Sequence, residues 1–368
     1  MPLNNRGFIY LLGISSLGAL CFCVLFSPHD ALPISAQCSA LRGQAGTGAP
    51  VFLSLHISEE FDASFCQRAE EACHALADMG FRIIADVSVK TVAQFGCADL
   101  TELAEKLRIW ALRIDYGFSL SEIIAMAEKM PIVLNASTTT TEDAAVIAEH
   151  GKLVMAMHNF YPRPETGLEE DYLRETTEEL QKAGLKVLAF IPGDAQKRGP
   201  VFEGLPTLED HRNILPSAAF IDLALNYGIS DIFVGDPGIS RKEIDRITRF
   251  CQEGILSIPC EIQESWHHLY DRVFTCRPDS PKKLVRFQES RIYSCQGQPV
   301  VPENCLERTV GALTVDNLHY GRYSGEIMLI RSGLPADHRV NVIGRVPENA
   351  LLLLDHIRRG SKFTLVRP

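Results

Sequence analysis

At 368 residues the chain exceeds one typical domain and suits one large domain followed by a small one. With 46% hydrophobic and 22% charged residues it can bury a core, which excludes a disordered chain. Its formal net charge of −10, without a basic run carrying interleaved aromatics, excludes the electrostatic footprint of a nucleic-acid-binding protein.

Residues 7–26 form an uncharged, mostly apolar run after Arg6, which reads as a signal peptide or membrane anchor. A second reading competes with it. Residues 29–34 (HDALPI) are what the end of a common sequencing adapter encodes in one frame, so residues 1–35 are expected to be wholly or partly a chimeric join. An unbroken native reading frame through Ser35 in a single long read would contradict that. The eleven cysteines show no CxxC pairs and no Cys/His metal spacing. Cys66, Cys73, Cys251 and Cys260 sit in apolar or helical contexts, so reduced thiols, a reducing compartment and no zinc site are expected.

From about Ala36 a βα rhythm sets in. Apolar strands are expected at 51–57, 81–87, 110–114, 132–134, 153–157, 187–191 and 231–234, with amphipathic helices between, clearest at 172–183 and 218–227. Near-continuous apolar strands alternating with helices indicate a parallel sheet covered by helices. Seven strands are one short of a closed (β/α)8 TIM barrel. The missing first strand should precede Val51, in the doubtful segment, where Leu12–Ser15 (LGIS) is a candidate remnant. A doubly wound open sheet ranks lower, because no GxGxxG follows a first strand. After about Pro259 the rhythm changes to short alternating runs punctuated by Pro, Gly and Asp-Asn. Residues 261–368 are therefore expected to form a small, mostly antiparallel, barrel-like β domain with one helix at 350–358. The division is thus a doubtful segment at 1–35, a barrel domain over 36–258 and a β domain over 261–368.

Each expected strand of the barrel ends in a group capable of chemistry: His56, Asp86, Asp115, Asn135, His158 with Asn159, Asp194 and Asp236. In a barrel these converge on the C-terminal face. Two stretches are dense. Residues 157–168 (MHNFYPRPETGL) bring His158, Asn159, Tyr161, Arg163, Glu165 and Thr166 into one loop. Residues 190–212 (FIPGDAQKRGPVFEGLPTLEDHR) place Lys197 and Arg198 beside a Gly-Pro turn, a pattern suited to phosphate or carboxylate. The bland alternatives are a helix-capping loop and an exposed charged loop. Asp86, Asp115, Asp194 and Asp236 could supply the carboxylate pair of a glycoside hydrolase. Asp115, ending a very apolar strand, is the best placed. At least one of these aspartates is expected instead to hold Arg113, Arg163 or Arg198 in position. In the β domain Arg286, Arg291, Arg322 and Arg345 recur on or beside strands, a weak signal.

Those same residues carry a resemblance. HNFYPRPETGL, FIPGD with KRGPVFEGLPTLEDHR, LRIDYGF, SLHISEE, and the C-terminal TVDN, YGRYSGE and VNVIGRV are similar to the bacterial 6-phospho-N-acetylmuramidase (MupG-like) family over roughly residues 36–368. The resemblance implies a TIM barrel followed by a cyclophilin-like β domain. It also implies a cytoplasmic exo-glycosidase of peptidoglycan recycling that takes a small phosphorylated amino-sugar disaccharide, N-acetylmuramic acid 6-phosphate–N-acetylglucosamine, and needs no cofactor. Catalytic carboxylates are then sought among Asp115, Asp194 and Asp86. Substrate contacts are sought among His56, Asn135, His158, Asn159, Arg163, Glu165, Lys197, Arg198, Asp236 and Arg286. No metal, nucleic acid or, unless residues 7–26 are genuine, membrane partner is expected; the oligomeric state is open, a homo-oligomer included. The departure is the N-terminus, where a first strand and loop resembling GISVYP in relatives are absent or garbled. A non-catalytic sugar-phosphate-binding or regulatory protein on the same scaffold, and an extracytoplasmic anchored protein, remain alternatives.

Overall fold

A computed structural model describes residues 21–24, 48–55, 65–290 and 299–368. The chain divides into two compact units, one made of Met1–Arg212 and Leu223–Ile244, the other of Asn213–Asp222 and Asp245–Pro368.

The first unit alternates strands with helices. The strands are β1 (Cys21–Val24), β2 (Pro50–Ser54), β3 (Arg82–Val87), β4 (Ala111–Ile114), β5 (Ile132–Asn135), β6 (Val154–Met157), β7 (Lys186–Ile191) and β8 (Asp231–Val234). Each pairs in parallel with the next, and β1 pairs with both β2 and β8, which closes the sheet into a barrel. The first strand is therefore Cys21–Val24, not the Leu12–Ser15 remnant, which lies outside the described residues. A strand buried on both faces of a parallel sheet is apolar at every position. Over four residues it is indistinguishable from the middle of an apolar leader, and this is why residues 7–26 conceal it.

The helices read as the sequence spacing requires. α1 (Phe65–Asp78) buries Phe65, Ala69, Ala72, Cys73 and Leu76, one stripe at helical spacing. Then come α2 (Val89–Gln94), α3 (Leu100–Lys106), α4 (Leu120–Ala127), α5 (Thr141–His150) and α6 (Glu170–Lys182). Asp99 caps α3 by accepting from the Glu102 amide at 2.8 Å, and Ser119 with Glu122 forms a reciprocal capping box on α4. α7 (Pro216–Asn226) and α8 (Arg241–Glu253) follow. Inside the barrel, Phe52, Ile84, Ala111, Val133, Met155, Met157, Leu188, Phe190 and Phe233 pack as one core.

The second unit begins earlier than residue 261. β9 (Ile255–Pro259) belongs to it and pairs in parallel with β16 (Lys362–Val366), which pairs antiparallel with β11 (Val273–Thr275). A five-stranded antiparallel sheet runs in the order β10 (Glu261–Ile262), β15 (Val340–Arg345), β13 (Ala312–Asp316), β14 (Ile327–Ile330), β12 (Leu284–Arg286). Phe274 of β11, Phe363 of β16 and Phe287, just after β12, pack together with ring centroids 4.8–5.9 Å apart. The expected helix at 350–358 shortens to α9 (Leu352–Asp355) after a 3-10 turn.

Among the described residues Cys66, Cys97, Cys251, Cys260, Cys276 and Cys305 are free thiols. Burial pushes Cys251 up to about 11 and Cys260 up to about 12, so both stay protonated. Among the described residues no helix is long and apolar enough to cross a membrane, and no three His, Cys, Asp or Glu side chains group as metal ligands.

Candidate active site

Alternation along the strands decides which polar groups reach the barrel interior. Ile84, Ala111, Val133 and Met155 face inward in the core, and two residues further along the same faces stand Asp86, Arg113, Asn135 and Met157. Two further on again are Asp115 and Asn159. The C-terminal end of the barrel thereby changes from an apolar core to a polar cluster within one layer.

Arg113 is the centre of that cluster and is 4% exposed. Its Nη1 donates to Asp86 Oδ1 at 2.7 Å and lies 3.9 Å from Asp115 Oδ1, while its Nη2 donates to Asn159 Oδ1. Asp115 Oδ1 also accepts from the Asn135 amide at 2.9 Å, and Asn135 Oδ1 accepts from the Ser137 backbone at 3.0 Å, which fixes the orientation of the amide. Side chains from β3, β4, β5 and the loop after β6 are thus locked to one guanidinium. They open onto a cavity of about 240 Å³, whose other lining comes from Phe52, Met157, His158, Phe160, Tyr161 and Phe190. The Asp115 side chain keeps 20% of its surface exposed against 7% for Asp86. The expectation that an aspartate holds Arg113 is met by Asp86.

His158 is among the residues that line the cavity, with its ring fully buried. It is the odd member of the alternation, and its ring reaches α6, where Nε2 meets Thr177 Oγ1 at 2.9 Å. Full burial pushes its pKa down to about 4, which keeps the ring neutral. His56 lies outside the described residues.

A second polar assembly staples the loops after β6, β7 and β8. Asp236 is buried and accepts backbone amides from Gly193 (2.8 Å), Leu205 (3.2 Å) and Arg198 (3.0 Å). Burial raises its pKa, opposed by those three amides and the nearby Lys197 charge. Asp194 is exposed and accepts from the Ser240 amide at 2.7 Å, joining the β7 loop to the start of α8. Gly193 is required here, because a Cβ would sit 2.2 Å from the Gly238 carbonyl oxygen. Glu209 takes Arg212 Nε and Nη2, both at 2.6 Å, and accepts the amides of Glu165 and Gly167. Arg212 goes on to the carbonyls of Gly204 and Arg163. The Arg212 hydrogen bonds, with the two amides, hold the Glu209 carboxyl down to about 2.

Of the residues singled out from sequence, Asp86, Asp115, Asn135 and Asn159 come together with Arg113. Asp194 and Asp236 do not line the cavity and serve as loop ties. Glu165 contributes its backbone, at φ +68°, and the side chain of Arg163 is exposed. Arg286 lies in the second unit, where it donates to Glu326 Oε2 at 2.7 Å and to Asp279 Oδ2 at 3.4 Å. Sequence reasoning gave Glu209 and Arg212 no role, although their i,i+3 spacing signals a local ion pair. The aromatic wall of Phe52, Phe160 and Phe190 was also missed.

Two family models match, 6-phospho-N-acetylmuramidase N-terminal over residues 34–249 and 6-phospho-N-acetylmuramidase C-terminal over residues 256–366. The structure is similar to that of a conserved Enterococcus faecalis protein of unknown function, with 30% identity, TM-score 0.79, and coverage of 95% of this chain and 96% of that one. An uncharacterized B. cereus protein shares the fold at 24% identity and TM-score 0.74, covering 95% of this chain and 99% of its own. No curated protein matches the sequence. With matched residues running across both units, the chain belongs to the 6-phospho-N-acetylmuramidase family.

Proposed function

We propose that this protein hydrolyses the glycosidic bond of N-acetylmuramic acid 6-phosphate–N-acetylglucosamine, in the cytoplasm, as a step of peptidoglycan recycling. The family assignment supports the substrate, and the Asp86–Arg113–Asp115 cluster at the barrel cavity carries the chemistry. Glycoside hydrolysis needs a carboxylic acid that protonates the leaving oxygen and a second group that meets the charge developing at the anomeric carbon. Asp115, the more exposed of the two, is the proton donor in this reading. Asp86, paired with Arg113, is the second group, the one that meets that charge. Asp194, the third candidate carboxylate, is left out because it accepts the Ser240 amide and does not line the cavity.

The phosphate and lactyl carboxylate need cations, and Arg113 already serves Asp86 and Asn159. Arg163, Lys197 and Arg198, on the long loops after β6 and β7, are the cations assigned to the substrate's anionic groups. The barrel is then the catalytic domain, and the second unit is the cyclophilin-like β domain of the family. The test is incubation of the full chain with the synthetic disaccharide, following release of both sugars. Turnover supports the proposal. Tight binding without turnover by folded protein would overturn it in favour of a sugar-phosphate-binding role.

A further inference from the structure

Asn135 is the last residue of β5 and is 3% exposed. Its backbone carbonyl accepts the amides of Thr138 (3.2 Å) and Thr139 (3.0 Å), so the strand ends in a tight turn. The side chain closes the same turn, Oδ1 accepting the Ser137 amide at 3.0 Å. A carboxamide has one accepting end and one donating end. With the oxygen committed to Ser137, the nitrogen must face the other way, and Nδ2 donates to Asp115 Oδ1 at 2.9 Å. The guanidinium of Arg113 approaches that same oxygen, with Nη1 at 3.9 Å.

These contacts make the two oxygens of Asp115 unequal. A carboxylic acid carries its proton on one oxygen and accepts hydrogen bonds on the other. A proton on Oδ1 would be aimed at an N–H that already donates there and at a guanidinium charge, so both neighbours disfavour it. We propose that Asn135 is a positioning residue for the proton transfer: it reserves Oδ1 of Asp115 as the acceptor and so places the transferable proton on Oδ2. The inference rests on the hydrolase reading above, in which Asp115 protonates the leaving oxygen. Asn135 acts through Asp115, and the turn at Ser137 keeps its amide from flipping. In the step itself the Oδ2 proton passes to the glycosidic oxygen as the C1–O bond breaks, and the bonding electron pair leaves with that oxygen. The negative charge left on Asp115 is stabilised at Oδ1 by the Asn135 N–H and by Arg113. Water then forms the new C1–O bond, and the proton it releases restores Asp115.

The test compares kcat/KM of the full chain as wild type, Asn135→Leu and Asn135→Asp on two substrates. One is the disaccharide. The other is the 2,4-dinitrophenyl glycoside of N-acetylmuramic acid 6-phosphate, whose leaving group departs as a stable anion and needs no proton. Leucine keeps the volume and removes both polar ends; aspartate keeps the shape and the acceptor for Ser137 but brings no amide donor to Asp115. For variants whose unfolding curves show a folded protein, kcat/KM on the disaccharide should fall by about 10–100-fold and on the aryl glycoside by less than about threefold. An equal fall on both substrates overturns the inference, because loss of a substrate contact or of local structure does not depend on the leaving group. Unchanged kcat/KM on the disaccharide overturns it as well, and either result leaves the hydrolase reading intact. No turnover of the disaccharide by the wild type overturns both.

Discussion

Glu209 offers a perturbation whose size can be worked from contacts. Replacing it by alanine removes two short hydrogen bonds from Arg212, whose side chain is 4% exposed, and leaves the amides of Glu165 and Gly167 without their acceptor. A hydrogen bond to a charged group contributes about 1.5–3 kcal/mol, and breaking a buried ion pair costs about 3–5 kcal/mol. Glu209 keeps 27% of its side chain in solvent and Arg212 retains two carbonyl acceptors, so the low end applies, about 3 kcal/mol. The melting temperature of the barrel should therefore fall by roughly 6–12 °C. The pH dependence gives an independent check. The folded carboxyl titrates near 2, below its ordinary 4.5, so its stabilisation is fully present above about pH 4.5 and disappears as pH falls toward 2. The gap between wild type and Glu209→Ala in thermal unfolding should be constant from pH 7 to 5 and narrow below that. A loss under 1 kcal/mol at pH 7, or a gap that does not narrow in acid, would refute the reasoning.

Arg113→Lys should lower kcat by roughly tenfold or more with a smaller change in KM, because an ammonium cannot reach Asp86 and Asn159 together; steady-state kinetics on the disaccharide would show it. Asp316 is buried on β13 near Glu326 and Asp337, with Oδ1 lacking a hydrogen-bond partner, and burial followed by those acids pushes its pKa up to about 7. Its destabilising effect is absent below pH 3.8, grows between 3.8 and 7, and is complete above 7. Asp316→Asn should therefore raise stability by about 2 kcal/mol at pH 8 and by little near pH 4, as read from denaturant unfolding at both pH values.

How much the sequence revealed follows from the length scale of each signal. The seven apolar strands from β2 to β8 are continuous in composition and flanked by helices of clear periodicity, so a parallel sheet was legible. β1 was not, because four apolar residues inside a longer apolar run carry no boundary. β9 was placed before the small domain, since its apolar character matches the barrel strands and only its pairing with β16 assigns it. The cluster of polar strand ends was legible as a set, and alternation sorts its members. Asp86 and Asn135 share parity with core residues of their strands, whereas the ring of His158, one residue off, meets Thr177. The role of Asp236 depends on amides contributed by Gly193, Arg198 and Leu205, up to 43 residues away, and no local pattern records that.

The central claim is that Asp115 delivers the proton in a hydrolysis carried out at the barrel cavity. Its most direct test is kcat and KM for the disaccharide with wild type and Asp115→Asn, with unfolding curves confirming that the variant is folded. The account predicts a fall in kcat of about 10²–10⁴-fold with KM little changed. A folded Asp115→Asn protein that cleaves the disaccharide at the wild-type rate would contradict it.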